Sequence, residues 1–338
     1  MNGQEPKEEL LRRLRAVPLV AAIEDERWPS LEPHIAFTEL AKGETLFAAG
    51  RESERLFLVI DGELGLDMPR TSRLAGPPSE NVRRAGYARP ESVVAAEKPA
   101  PEHRTVRLQR RGPGETAGDF AVLNGGAHLV SAVATRPTLV AGFPRFAFEL
   151  LTGIDPRILA HVYDTAAALS RRVTLARAFL ELFGALDDAM LAALLGASEL
   201  RHYRSGDTLF REGEVADGLY VIVSGRLHVE TGPPGRVRRL AEVQAPESVG
   251  ELALLAGSTR SATVYAARES TVARLEREAF HTLIAPHPDL LMALSRLVVR
   301  RHVASGAADA DSRPPDRNFV IVPLHSRLPL RRFLHQLR

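Results

Sequence analysis

The chain has 338 residues, 45% of them hydrophobic, enough for about two domains that each bury a core. A formal net charge of +2 gives no electrostatic footprint of a nucleic-acid binder, and none is expected as a partner. The absence of cysteine excludes disulfide frameworks, zinc-thiolate sites and thiol catalysis, and it suits a cytoplasmic protein.

In chain order, the first segment is a mixed-charge stretch, MNGQEPKEELLRRLRAVPLVAAI. It reads as a short amphipathic helix and lacks the apolar core of a signal peptide. No apolar run reaches the length of a membrane span.

Then comes a unit that is written twice. KGETLFAAG (42–50) aligns with SGDTLFREG (205–213), and LFLVIDGEL (56–64) falls on LYVIVSGRL (219–227), both at an offset of 163. Further on, GDFAVL (118–123) aligns with GELALL (250–255) at an offset of 132, so the first copy carries 31 extra residues within about 67–117. That insert is rich in Pro, Ala and Arg and reads as a disordered surface excursion.

Within each copy, short apolar runs such as LFLVI and LYVIV close on D-G or S-G turns. Regularly spaced short strands with glycine turns predict a β-sandwich or barrel. Helices are predicted at about 144–152 and 156–182 after the first copy, and at 276–284 and 288–304 after the second. The fold class is therefore mainly β with flanking helices, as two β-rolls in tandem. The expected domains are 1–155, a connecting helix at 156–181, a second roll at 182–303 and a linker at 304–317. After the linker, 318–338 reads as a strand and a helix, the start of an incomplete module.

The segment GELALLAGSTRSATVYA (250–266) carries the chemistry. Gly250 precedes a short helical turn, Glu251-Leu252-Ala253, whose leading N–H groups suit an anion. Arg260 supplies a permanently charged planar fork, Ser261 a hydroxyl, and Ala262 and Thr263 follow. Glu251 is placed to accept from a sugar hydroxyl and to orient Arg260. An ordinary Glu251–Arg260 ion pair is the alternative. The stretch resembles the phosphate-binding cassette of cyclic nucleotide-binding domains: Gly-Glu-Leu-Ala, a variable stretch, then Arg-Ser-Ala-Thr. Thr259 stands where that family often has proline.

The resemblance implies a jelly-roll-like β-roll and cAMP or cGMP as ligand, with no other cofactor; Ser261 does not decide between the two. It also implies an apolar lid over the base, for which Leu291, Leu294 and Val298 are candidates, with plain core as their other reading. In the first copy the cassette positions read Asp119 and His128, or Val130 in a shifted register. Neither register has an arginine, so this copy is expected to keep the fold without binding a cyclic nucleotide, with His128 solvated on a loop.

No nucleophile elbow, zinc-protease helix motif or phosphate loop occurs, and the eleven histidines lack metal-ligand spacing, so no catalytic or metal site is expected. The order of segments is similar to the regulatory part of bacterial patatin-like phospholipases related to neuropathy target esterase, with VIVPLHSRLPLRRFLHQL like the opening of their catalytic region. That resemblance implies a phospholipase effector outside this chain. The leading reading is a cyclic nucleotide-sensing regulatory module, and three others compete with it: a ligand-free scaffold, a transcription regulator of the catabolite-activator type, and a lipase. The last two are disfavoured by the missing helix-turn-helix and the missing nucleophile.

Overall fold

A computed structural model describes residues 7–70, 105–184, 186–233 and 236–308, with side chains up to 299. The chain divides into two compact units, Met1–Arg177 and Ala178–Arg338.

The first unit begins with helices α1 (Lys7–Arg15) and α2 (Trp28–Leu31). Strands β1 (Ala36–Leu40), β2 (Thr45–Phe47), β3 (Arg55–Asp61), β4 (Leu64–Pro69), β5 (Thr105–Arg111) and β6 (Thr116–Ala117) follow. Helix α3 (Asp119–Asn124) leads into β7 (Ser131–Ala134) and β8 (Thr138–Pro144), then α4 (Arg145–Ile154) and α5 (Pro156–Phe183), whose residues from Ala178 on belong to the second unit. All pairings are antiparallel, in two four-stranded sheets of order β1-β8-β3-β6 and β2-β7-β4-β5.

The second unit repeats the plan: α6 (Asp188–Ala197), β9 (Ser198–Tyr203), β10 (Thr208–Phe210), β11 (Gly218–Ser224), β12 (Arg226–Thr231), β13 (Arg238–Gln244) and β14 (Ser248–Val249). Then come α7 (Glu251–Ala256), β15 (Thr263–Ala266), β16 (Ser270–Glu276), α8 (Arg277–Ala279) with a wider turn over Phe280–Ile284, and α9 (Pro288–Ala308). Its sheets, β9-β16-β11-β14 and β10-β15-β12-β13, place equivalent strands in the same order as the first unit.

The apolar runs become the inner strands. Leu56, Phe57, Leu58, Val59 and Ile60 of β3 are all buried, and burying one such side chain stabilises the fold by about 1.5–3 kcal/mol. The repeated turn glycines have a steric cause. At Gly225 φ is +96°, and a Cβ would lie 2.5 Å from the Ser270 Cα.

Three boundaries differ from expectation. Residues 67–69 and 105–111 lie in paired strands β4 and β5, so the ends of the predicted excursion belong to the roll. Its middle, 71–104, lies outside the described residues. Ile158 and Val162 at the start of α5 join the core of the first unit, because their spacing presents an apolar stripe to the roll. Helix α9 runs to Ala308, taking up the start of the predicted linker, and the predicted module at 318–338 lies outside the described residues.

The start of α6 offers a local test. The Asp187 carboxylate accepts from the Met190 N–H at 2.7 Å and caps the helix. Asp187→Ala is expected to destabilise the second unit by about 1 kcal/mol, read as a lowered urea midpoint.

Candidate functional site

The site of the second unit is assembled from two turns. One joins β10 to β11, and the other joins α7 to β15. The Arg260 backbone is clamped between them: its N–H donates to the Glu214 carbonyl at 2.8 Å, and its carbonyl accepts from the Gly213 N–H at 2.8 Å. With its backbone fixed, the side chain turns inward and is only 2% exposed.

Inside, the guanidinium donates through Nη1 to the Gly250 carbonyl at 2.9 Å. Through Nη2 it reaches Asp217 Oδ1 at 2.6 Å and the Gly218 carbonyl at 2.8 Å. Its central carbon lies 4.1 Å from the Phe210 ring centre and 5.6 Å from that of Tyr220, in cation–π range. Nε is buried without a hydrogen-bond partner.

Gly250 is required by this approach. Its φ is +88°, and a Cβ there would lie 2.3 Å from Arg260 Nη1.

Asp217 also accepts from the Tyr220 hydroxyl at 2.8 Å and from Arg274 Nε at 3.0 Å. Burial works against its charge, but the hydrogen bonds from Tyr220 and Arg260 outweigh it and hold the carboxyl below its usual range. Burial and the Asp217 carboxylate together push the Tyr220 phenol up to about 12.

The carboxylate that meets Arg260 is thus Asp217, not the adjacent Glu251. Glu251 opens α7 and is itself 2% exposed. Gly250, Glu251, Leu252, Ala253, Arg260, Ser261 and Ala262 line one cavity of about 60 Å³. Thr263 lies just outside it, its hydroxyl accepting from the Glu212 N–H at 3.0 Å. None of the three lid candidates lines this cavity. Leu294 is fully buried core, and Leu291 and Val298 are half-buried on α9.

Phe210, Asp217, Tyr220 and Arg274 were not singled out from sequence. The available signals were the TLF triplet shared by both copies, which carries Phe210, and the repeated LYVIV run, which carries Tyr220.

In the first unit the same turn carries His128, anchored identically: its N–H donates to the Arg51 carbonyl and its carbonyl accepts from the Gly50 N–H. The register that equates His128 with Arg260 is therefore the structural one. His128 is not a solvated loop residue. It is 3% exposed and stacks on Phe47 with ring centres 3.7 Å apart, because the clamped backbone aims it inward. Burial lowers its pKa to about 4. Asp119 is 1% exposed and accepts from the Thr116 hydroxyl. Burial raises its carboxyl above the usual range, against the opposing pull of Thr116 and Arg111. Among the described residues no group of three or more His, Asp or Glu could hold a metal ion, and no helix is long and apolar enough to cross a membrane.

The geometry can be set beside known proteins. Residues 200–287 match the family model of the cyclic nucleotide-binding domain. The second roll is a cyclic nucleotide-binding domain.

About four-fifths of the chain is homologous to part of larger proteins. It is 26% identical over 286 residues to lysophospholipase nte1 of Aspergillus fumigatus, covering 80% of this chain and 18% of that one. It is also 26% identical over 293 residues to lysophospholipase NTE1 of Saccharomyces cerevisiae, covering 81% and 16%. It spans about a fifth of the length of the curated relatives it matches. A solved structure similar to it is the regulatory domain of Toxoplasma gondii PKA crystallised with cAMP, with 20% identity, a TM-score of 0.37, and 89% and 99% of the two chains covered. The chain thus carries a domain of the cyclic nucleotide-binding type and is homologous to part of the NTE1 lysophospholipases.

Proposed function

We propose that the second unit binds cAMP or cGMP and passes the signal to a patatin-like phospholipase or esterase effector in the cytoplasm, the chain itself being non-catalytic. The observation that carries this reading is the buried guanidinium of Arg260, set among the cassette residues with an unpartnered Nε–H. A cyclic phosphate entering between Gly250 and Ser261 draws that fork away from Asp217. Glu251 accepts from a ribose hydroxyl, and the small Ala262 leaves room for the sugar-phosphate. The cavity of about 60 Å³ is smaller than a nucleotide, so entry requires the cassette to open. That requirement couples binding to a change of conformation, which is what a regulatory domain needs. On this reading helix α9, with Leu291, Leu294 and Val298, follows the cassette and closes over the base. The first unit, with a neutral imidazole in place of the guanidinium, takes no part in cyclic phosphate binding.

The same narrow cavity, with Asp217 already satisfying Arg260, favours a second reading: a roll locked in its ligand-free form and used as a scaffold. Calorimetric titration of the full chain with cAMP and then cGMP separates the two. Saturable heat at one site per chain supports the sensor and identifies the nucleotide. No heat and no thermal shift with either ligand leaves the scaffold.

A further inference from the structure

The turn between β10 and β11 grips two arginines at once. On one side it holds Arg260: the Glu214 carbonyl accepts from its N–H at 2.8 Å, and Asp217 Oδ1 accepts from its Nη2 at 2.6 Å. On the other it holds Arg277, the first residue of α8. The Ala216 carbonyl accepts from Arg277 Nε at 2.7 Å, and the Asp217 carbonyl accepts from the Arg277 N–H at 3.0 Å. Ala216 is fully buried, where a carbonyl is costly to leave without a donor. Residues 214–217 therefore link the cassette arginine to the start of the C-terminal helices.

The first copy shows that this link is not a requirement of the fold. Its equivalents of Ala216, Asp217 and Arg277 are Ser53, Glu54 and Arg145, at the offsets of the repeat. The strands beside them pair alike, Arg55 with Pro144 as Gly218 with Glu276. Yet Arg145 turns along its own helix, Nε donating to Glu149 Oε1 at 3.1 Å, and among the described residues it has no bond to Ser53 or Glu54. The roll that has His128 in place of the cassette arginine closes without the tie. The roll that keeps the arginine keeps the tie.

Displacing Arg260 disturbs the turn from the cassette side. Asp217 Oδ1 loses its donor, while Oδ2 keeps Arg274 on β16 and the Tyr220 hydroxyl on β11. The carboxylate is then drawn toward the strands alone, and the carbonyls that fix Arg277 belong to Ala216 and to Asp217 itself. We propose that Arg277 is a positioning residue that carries the state of Arg260 to α8. The identity of what displaces Arg260 rests on the nucleotide reading above; the link from Arg260 to α8 does not.

Hydrogen exchange of 277–284 in the full chain tests the link, first without nucleotide. Arg260→Ala is expected to change exchange there at least about fivefold in the parent background and less than about twofold beside Arg277→Met. Arg277→Met keeps the stem and the backbone bond to the Asp217 carbonyl, so the thermal transition should stay in place. A saturating concentration of cAMP or cGMP is then expected to produce the same contrast, with exchange of the cassette, 250–263, responding alike in both chains. Arg277→Lys, which returns a donor to a stem of similar length, should restore the response that Arg277→Met loses. Equal responses at 277–284 with and without the Arg277 fork overturn the link, and nucleotide binding stands if the cassette still responds. No heat with either nucleotide removes the sensor instead, and the Arg260→Ala comparison then decides the link by itself.

Discussion

Arg260→Ala is expected to weaken cyclic nucleotide binding by at least about 100-fold, beyond the reach of calorimetry at ordinary ligand concentrations. Charge-assisted hydrogen bonds contribute about 1.5–3 kcal/mol each, and a guanidinium gives a phosphate two of them in parallel. At about 1.4 kcal/mol per factor of ten, that is two decades or more. The fold should survive the change. Asp217 loses one cation but keeps Arg274 and the Tyr220 hydroxyl, so no buried charge is stranded. The cost to stability is the space left against Phe210 and the Gly218 and Gly250 carbonyls that lose a donor. A thermal melt therefore accompanies the titration. Arg260→Lys provides the graded case: it retains the charge and loses the planar fork, so affinity is expected between the two. An alanine variant that folds and binds as tightly as the parent chain would remove the cassette from the mechanism.

The parts of this site that sequence alone reveals are the ones whose cause is local. Gly250 and Arg260 stand ten residues apart in one continuous stretch, and the repeat shows that the two copies share one plan, though not the order of their strands. The partner of Arg260 escapes such a reading because Asp217 lies 43 residues away, on a turn without a pattern of its own. Only the antiparallel pairing of β11 with β16, and the clamp of the Arg260 backbone onto Gly213 and Glu214, bring the two together. Glu251 looked like the natural partner by proximity in sequence. Yet it begins a helix beyond a left-handed glycine, and that glycine's carbonyl takes Nη1 instead. His128 shows the same limit from the other side. Its residue type and the surrounding glycines suggest a wet loop, but the register at an offset of 132 already placed it on the position of a buried arginine. Repeat register outweighs residue type when backbone anchors are shared.

Acidification is expected to unsettle the first unit through His128. Burial lowers the folded-state pKa to about 4, against about 6.5 in the unfolded chain. The unfolded state therefore takes up the proton first. The stability tied to the neutral imidazole is complete above pH 6.5 and is lost as pH falls toward 4, reaching about 2 kcal/mol at pH 5 and about 3 kcal/mol at the acid limit. Asp119 acts with the opposite sign. Its raised carboxyl binds a proton more readily in the folded state, so acid favours the fold at that residue and offsets part of the loss. The comparison that isolates the imidazole is the parent chain against His128→Phe, which keeps a ring on Phe47 and removes the titration. Urea unfolding of the first unit at pH 7 and pH 5 should show the parent losing about 2 kcal/mol more than the variant. Equal losses would mean that His128 takes up its proton inside the folded roll.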